Sequence, residues 1–185
     1  LHKEYRRQRQ MCIRDRIDCV DEIRARVITV SDRCAAGAAL DRSGPLAASL
    51  LAELGCSWLK VDPVTVVPDG IDSVGGALRD ALENGCRLVV TTGGTGISPR
   101  DLTPEATEPL LVARLDGLAE QVRALGAHSS ALAGLSRGFV GVTSRGDQAA
   151  LIVNAPGSTG GVRDTLTVIG PMLEHIFRQL AGGGH

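Results

Sequence analysis

The chain has 185 residues, 43% hydrophobic, 22% charged and only 2% aromatic, with a formal net charge of −1. This is the balance of a globular protein with a core of Val, Leu, Ile and Ala, and it argues against attachment to nucleic acid or a membrane surface by bulk charge. Lys3 and Lys60 are the only lysines, so no lysine is placed for a Walker-type phosphate loop or a Schiff base.

Residues 1–23 turn from basic to acidic without a helical or strand period, and read as an extension, disordered or non-native, outside a domain spanning 24–182. Residues 25–31 spell a buried first strand. After a polar loop, Ser43-Gly44-Pro45 opens a helix that Gly55 stops. Residues 58–67 predict a second strand, at an edge or interrupted because of Pro63. Asp69 is a natural cap for the next helix, which ends at Gly85. Residues 87–92 are a third, buried strand running into Gly93-Gly94-Thr95-Gly96. Thr103-Pro104-Glu105 has the cap, proline and acid of another helix start, and helical period continues in pieces to Leu135, broken near Gly117 and Gly126. Residues 138–144 and 149–153 form a hairpin around Arg145-Gly146-Asp147. The last helix starts near Ser158 with Val162, Leu166, Ile169, Met172, Leu173 and Ile176 on one stripe. This alternation predicts an α/β fold, a three-layer α/β/α sandwich around a mostly parallel, mixed β-sheet.

In such a sheet, ligands bind beyond the carboxyl ends of the strands. Three loops there are rich in Gly, Ser, Thr and Asp. The first contains Ser31, Asp32, Asp41, Ser43 and Gly44. The second contains Thr92, Gly93, Gly94, Thr95 and Gly96, then Arg100, Asp101, Thr103 and Glu105. The third contains Asn154, Pro156, Gly157 and Ser158. Glycine lets backbone N–H groups approach an anion, and helix starts add a favourable dipole, so together they read as a phosphate cradle. Asp41 and Asp101 beside phosphate-binding loops imply a cation between like charges, and Mg²⁺ suits a few carboxylates and several waters. Taken singly, each Asp reads first as a turn or cap residue. No nucleophile elbow, HExxH pair or Cys/His metal set occurs. The five cysteines form no C-x-x-C pair and leave an odd one out, which suits a reducing, cytoplasmic setting, and no apolar run is long enough to span a membrane.

The segments TTGGTGISPRDLTPEAT (91–107), VSDRC (30–34), DRSGP (41–45), LSR (135–137) and NAPGS (154–158) together resemble the MoaB/Mog family of molybdenum-cofactor biosynthesis, whose domain also occurs in gephyrin. The resemblance spans residues 24–180. It implies a homo-oligomer, usually a trimer, that binds molybdopterin; the sequence leaves trimer and hexamer open. In its adenylyltransferase members it implies transfer of AMP from Mg²⁺-ATP to the molybdopterin phosphate with release of pyrophosphate. By the same resemblance Asp101 is the catalytic acid, Asp41 the second, both as metal ligands, while Gly93 to Gly96 and Ser158 contact phosphate or pterin. Two departures, Ala155 where Leu is usual and Asp116-Gly117 where Pro-Gly is common, bear on the pterin pocket. The alternatives are a pterin-binding paralogue without catalysis and an oligomeric scaffold docking other cofactor-assembly proteins; no nucleic-acid or membrane partner is expected.

Overall fold

The first strand, β1 at Ile23–Val30, is buried on both faces in the computed structural model, which describes residues 22–183. The expectation for residues 1–21 lies outside the described residues. The predicted second strand forms two short pieces, β2 at Leu59–Val61 and β3 at Thr65–Val67, and both pair in parallel with β1. Asp62-Pro63-Val64 separates them because proline cannot donate to a ladder. β4 (Cys86–Thr92) lies on the other side of β1, and β7 (Leu151–Ala155) lies beside β4, both parallel. β6 (Val140–Val142) and β5 (Ala113–Arg114) extend the sheet antiparallel, giving the order β2-β1-β4-β7-β6-β5 with β3 beside β1. The hairpin that makes the sheet mixed is the β6–β7 pair.

The helices are α1 (Asp32–Ala35), α2 (Ser43–Glu53), α3 (Ile71–Glu83), α4 (Thr103–Thr107), α5 (Asp116–Ala127), α6 (Thr159–Ile169) and α7 (Leu173–Leu180). One face of the sheet packs Val27, Leu88, Val90, Leu151 and Val153 against Ala47 and Leu51 of α2, Val162 and Ile169 of α6, and Leu173 and Phe177 of α7. The other packs Ile28, Val89 and Ile152 against Val74 and Leu78 of α3 and Ala106 of α4. Two apolar faces on one sheet require helices on both sides, which gives the three layers expected.

Four local expectations are corrected. Asp69 does not cap α3, whose N-cap is Gly70 with φ 129°; the Asp69 carboxylate instead accepts the Asp32 N–H at 2.8 Å. Thr103 lies inside α4 instead of capping it, and its hydroxyl donates to Gly93 O at 2.9 Å. The region with helical period in pieces also contains β5, a two-residue strand too short to leave a period; Arg114 stacks on Phe139, 4.3 Å from the ring centre. The breaks near Gly117 and Gly126 fall at the two ends of α5, which runs from Asp116 to Ala127. The last stripe is split by a 3-10 turn at Gly170–Met172, since Pro171 has no N–H to continue the ladder, and Phe177 is buried beside Leu173 in the second piece.

Candidate active site

Because β1, β4 and β7 are parallel, the turns after them emerge at one edge. The chain leaves β1 toward β2 and β3 and returns on the opposite side as β4, so strand order reverses between β1 and β4. A cleft of about 630 Å³ opens there, and its wall includes Ser31, Asp32, Asp41, Ser43, Asp69, Thr92, Gly93, Gly94, Ser98, Asp101, Gly157 and Thr159. All three predicted loops meet in it.

In the first loop, Ser31 caps α1 by accepting the Cys34 N–H. Asp41 is tightly held: Oδ1 accepts from Ser43 N (3.1 Å) and Gly44 N (3.0 Å), and Oδ2 accepts the Thr29 hydroxyl at 2.7 Å. A Cβ on Gly44 would collide with Thr29 Oγ1 and Val64 as well as with Asp41, so the DRSG spacing serves this close packing.

In the second loop, Gly93 and Gly94 have φ 106° and 63°, where a side chain is strained. Gly93 N–H donates to Ala155 O at 3.1 Å, and Thr103 N–H to Gly94 O at 3.0 Å, so the turn is pinned from both sides. Asp101 Oδ2 accepts the Ser98 N–H at 2.8 Å, and Gly96 leaves it room, since a Cβ there would lie 2.7 Å from that oxygen. Two guanidinium groups tether this exposed loop. Arg100 donates to both oxygens of Asp32, at 2.7 and 2.9 Å, and to Asp69 O at 2.6 Å. Arg137 donates to Gly96 O at 2.7 Å, to Asp101 O and to the Glu105 carboxylate. The Arg100 hydrogen bond holds the Asp32 carboxyl below its ordinary value against the cost of desolvation, and Arg137 does the same for Glu105.

The third loop turns its side chains differently. Asn154 is 5% exposed and donates to the hydroxyls of Thr91 (3.0 Å) and Thr107 (3.1 Å), beneath α4 and away from the cleft. Ser158 caps α6 through Gly161 N–H. Pro156 and Ser158 line a neighbouring cavity of about 340 Å³, walled by Val122, Phe139, Val140, Val153 and Ile169 with Arg123, Ser136 and Asp164 among the polar groups. Cleft and cavity share the turn at 156–158.

Nine predicted residues therefore line the cleft: Ser31, Asp32, Asp41, Ser43, Thr92, Gly93, Gly94, Asp101 and Gly157. Gly44, Thr95, Gly96, Arg100, Thr103, Glu105 and Asn154 lie outside the cleft lining; their bonds shape or tether its walls, and Asn154 also borders the apolar cavity. Asp69, Ser98 and the apolar cavity were not foreseen. In the sequence Asp69 reads as a cap, and the cavity comes from separate elements without a shared motif. Arg137 was visible only as part of LSR.

A magnesium ion takes one or two protein carboxylates beside phosphate oxygens and water. Two carboxylates from different loops on one cleft fit that need, Asp101 better than Asp41, whose Oδ1 is committed to the start of α2. Among the described residues no group of three or more His, Cys, Asp or Glu side chains forms a metal cluster.

The fold and cleft define an α/β protein with a cleft at a topological switch point, walled by glycine turns and carboxylates. The chain belongs to the molybdenum-cofactor biosynthesis family that includes MoaB and Mog: residues 26–175 match the family described as "Probable molybdopterin binding domain". It is 36% identical over 153 residues to a molybdopterin adenylyltransferase of Pyrococcus furiosus, covering 82% of this chain and 88% of the relative. It is 33% identical over 162 residues to a molybdenum cofactor biosynthesis bifunctional protein of Chlorobaculum tepidum, covering 88% of this chain and 50% of that one. The chain thus spans about half the length of such bifunctional relatives. The crystal structure of a molybdopterin biosynthesis protein from Mycobacterium abscessus superposes with a TM-score of 0.77 and 43% identity, over 86% of this chain and 96% of that one.

Proposed function

We propose that residues 24–182 form a molybdopterin adenylyltransferase domain that joins AMP from ATP to the phosphate of molybdopterin and releases pyrophosphate. The observation that carries this is Asp41 and Asp101 on one cleft, sharing the 156–158 turn with an apolar cavity. The cavity is roomy enough for a flat heterocycle, and the cleft offers polar groups for a phosphate chain. A molybdopterin phosphate held at the shared turn would face the α-phosphorus of ATP in the cleft. Already ionised at neutral pH, it attacks that phosphorus as the bond to pyrophosphate breaks, with no side-chain nucleophile required. Bound Mg²⁺ supplies neutralisation of the triphosphate and pyrophosphate charge. The chain's own part is positioning: Asp101 on a doubly tethered loop, Asp41 on the α2 start, and glycine turns that keep both walls close.

One observation favours a binding protein without catalysis: the Asp41 carboxylate is spent on Thr29, Ser43 and Gly44, as a purely structural cap would be. Incubation with Mg²⁺-ATP and molybdopterin separates the two, since only the enzyme releases pyrophosphate. Asp101→Ala is expected to lower turnover by about 100-fold or more with pterin binding largely kept, as for loss of a group used in the transition state. Loss of binding with turnover per bound pterin unchanged would remove Asp101 from the chemistry. Chelation of Mg²⁺ should abolish release, and its return restore it. We further propose a homotrimer, as the resemblance implies, in the reducing, cytoplasmic setting that the cysteine pattern suits.

A further inference from the structure

The segment 136–138 lies between the two hollows. Ser136 and Gly138 belong to the wall of the apolar cavity, while Arg137 between them turns the other way. Its backbone N–H donates to Thr95 O at 2.8 Å, and its guanidinium reaches Gly96 O, Asp101 O and both oxygens of Glu105. Ser136 adds a hydroxyl contact to Thr95 at 3.4 Å. The bonded points bracket the exposed stretch 97–100, and two of them, Gly96 and Asp101, are the residues whose packing sets the Asp101 carboxylate. Across the cleft, Arg100 holds the same stretch to Asp32 and Asp69. A loop with few buried side chains would otherwise sample many positions, and a planar guanidinium with five donors can fix several acceptors at once.

We propose that Arg137 is a positioning residue: it ties the wall of the apolar cavity to the loop carrying Asp101, so that filling the cavity sets the place of that carboxylate. Filling the cavity restrains Ser136 and Gly138, hence the Arg137 backbone, and through its fork the carbonyls of Gly96 and Asp101. The catalytic consequence rests on the adenylation reading; the tether itself does not. Arg137→Lys keeps a charge for Glu105 but cannot fork to the two carbonyls and the carboxylate together.

The test has two arms. In the first, hydrogen exchange of residues 96–102 is followed in wild type, Arg137→Ala and Arg137→Lys, with and without 6-hydroxymethylpterin as the probe. Protection that rises on adding the pterin in wild type, and is low and unresponsive in both variants while their thermal midpoints stay high, is the expected result. Unchanged protection in a folded variant would overturn the tether, and so would a wild-type loop indifferent to the bound pterin. In the second arm, kcat for pyrophosphate release should fall about 100-fold in Arg137→Ala, the scale of a misplaced reacting group. KM for ATP should move by no more than about twofold, with partial recovery in guanidinium chloride at non-denaturing concentration. A kcat equal to wild type would overturn the catalytic consequence. Wild-type protein that releases no pyrophosphate would instead defeat the adenylation reading, and the exchange arm would still decide the tether.

Discussion

Asp32 has four simultaneous bonds: its carboxylate accepts from two nitrogens of Arg100 and from the backbone N–H of Asp69 (3.1 Å), while its own N–H goes to the Asp69 carboxylate. This knot joins the loop after β1, the loop after β3 and the Asp101 loop. Because the folded carboxyl titrates below its ordinary value, chiefly through Arg100, its contribution is complete above the unfolded value and is lost as pH falls through the depressed one. Wild type should therefore melt above Asp32→Asn at neutral pH, with the gap closing over the acid range below the ordinary aspartate value. A gap of equal size across that range would show that the pair does not contribute through its charge. Asp41 shows the other side of residue-scale reading. Its type and position were legible, but the hydroxyl of Thr29 and the N–H groups of Ser43 and Gly44 meet it only once β1 and α2 are packed.

At the scale of elements, α4 has only five residues and cannot hold itself by helical hydrogen bonds alone. It is fastened from beneath by the Asn154 amide, through Thr107, and at its start by Thr103 on Gly93 O. Asn154 Oδ1 is buried with no partner among the described residues, so the amide also carries a cost. Asn154→Leu, close in volume, is expected to lower stability by about 1–2 kcal/mol, two neutral hydrogen bonds less one relieved acceptor. It should also raise hydrogen exchange across α4. Denaturant midpoints that match wild type, with α4 exchange unchanged, would contradict this fastening role. From the sequence, Asn154 in an NAPGS turn reads as a ligand contact. Strand parity sends its side chain to the α3–α4 face, because Val153 and Ala155 on either side point to the other core.

For the molecule as a whole, β7 links the two halves of the sheet, paired with β4 in parallel and β6 in antiparallel. Leu151 is fully buried there. Leu151→Ala is expected to destabilise by about 2–5 kcal/mol through lost burial and an unfilled cavity, read from equilibrium denaturation. A loss below about 1 kcal/mol would mean that the core collapses onto the gap. The same sheet explains the location of the cleft. β1 and β4 are neighbours whose following turns open in opposite directions, leaving a crevice that the three loops rim.

The amino-acid order alone determined the strand–helix alternation, the long apolar strands β1 and β4, the β6–β7 hairpin and the three loops that rim the cleft. These are local properties, carried by side-chain period, proline, glycine and cap residues within a few positions of one another. Tertiary structure decided which loop residues face the cleft and which spend their polar groups holding it in shape. It also decided the two-residue strand β5, the apolar cavity between α5, α6 and β6, and the reach of Arg137 to a loop more than thirty residues earlier. Those depend on partners distant in the chain, whose directions are set only when the sheet's pleat and the helix packing assign each side chain a face.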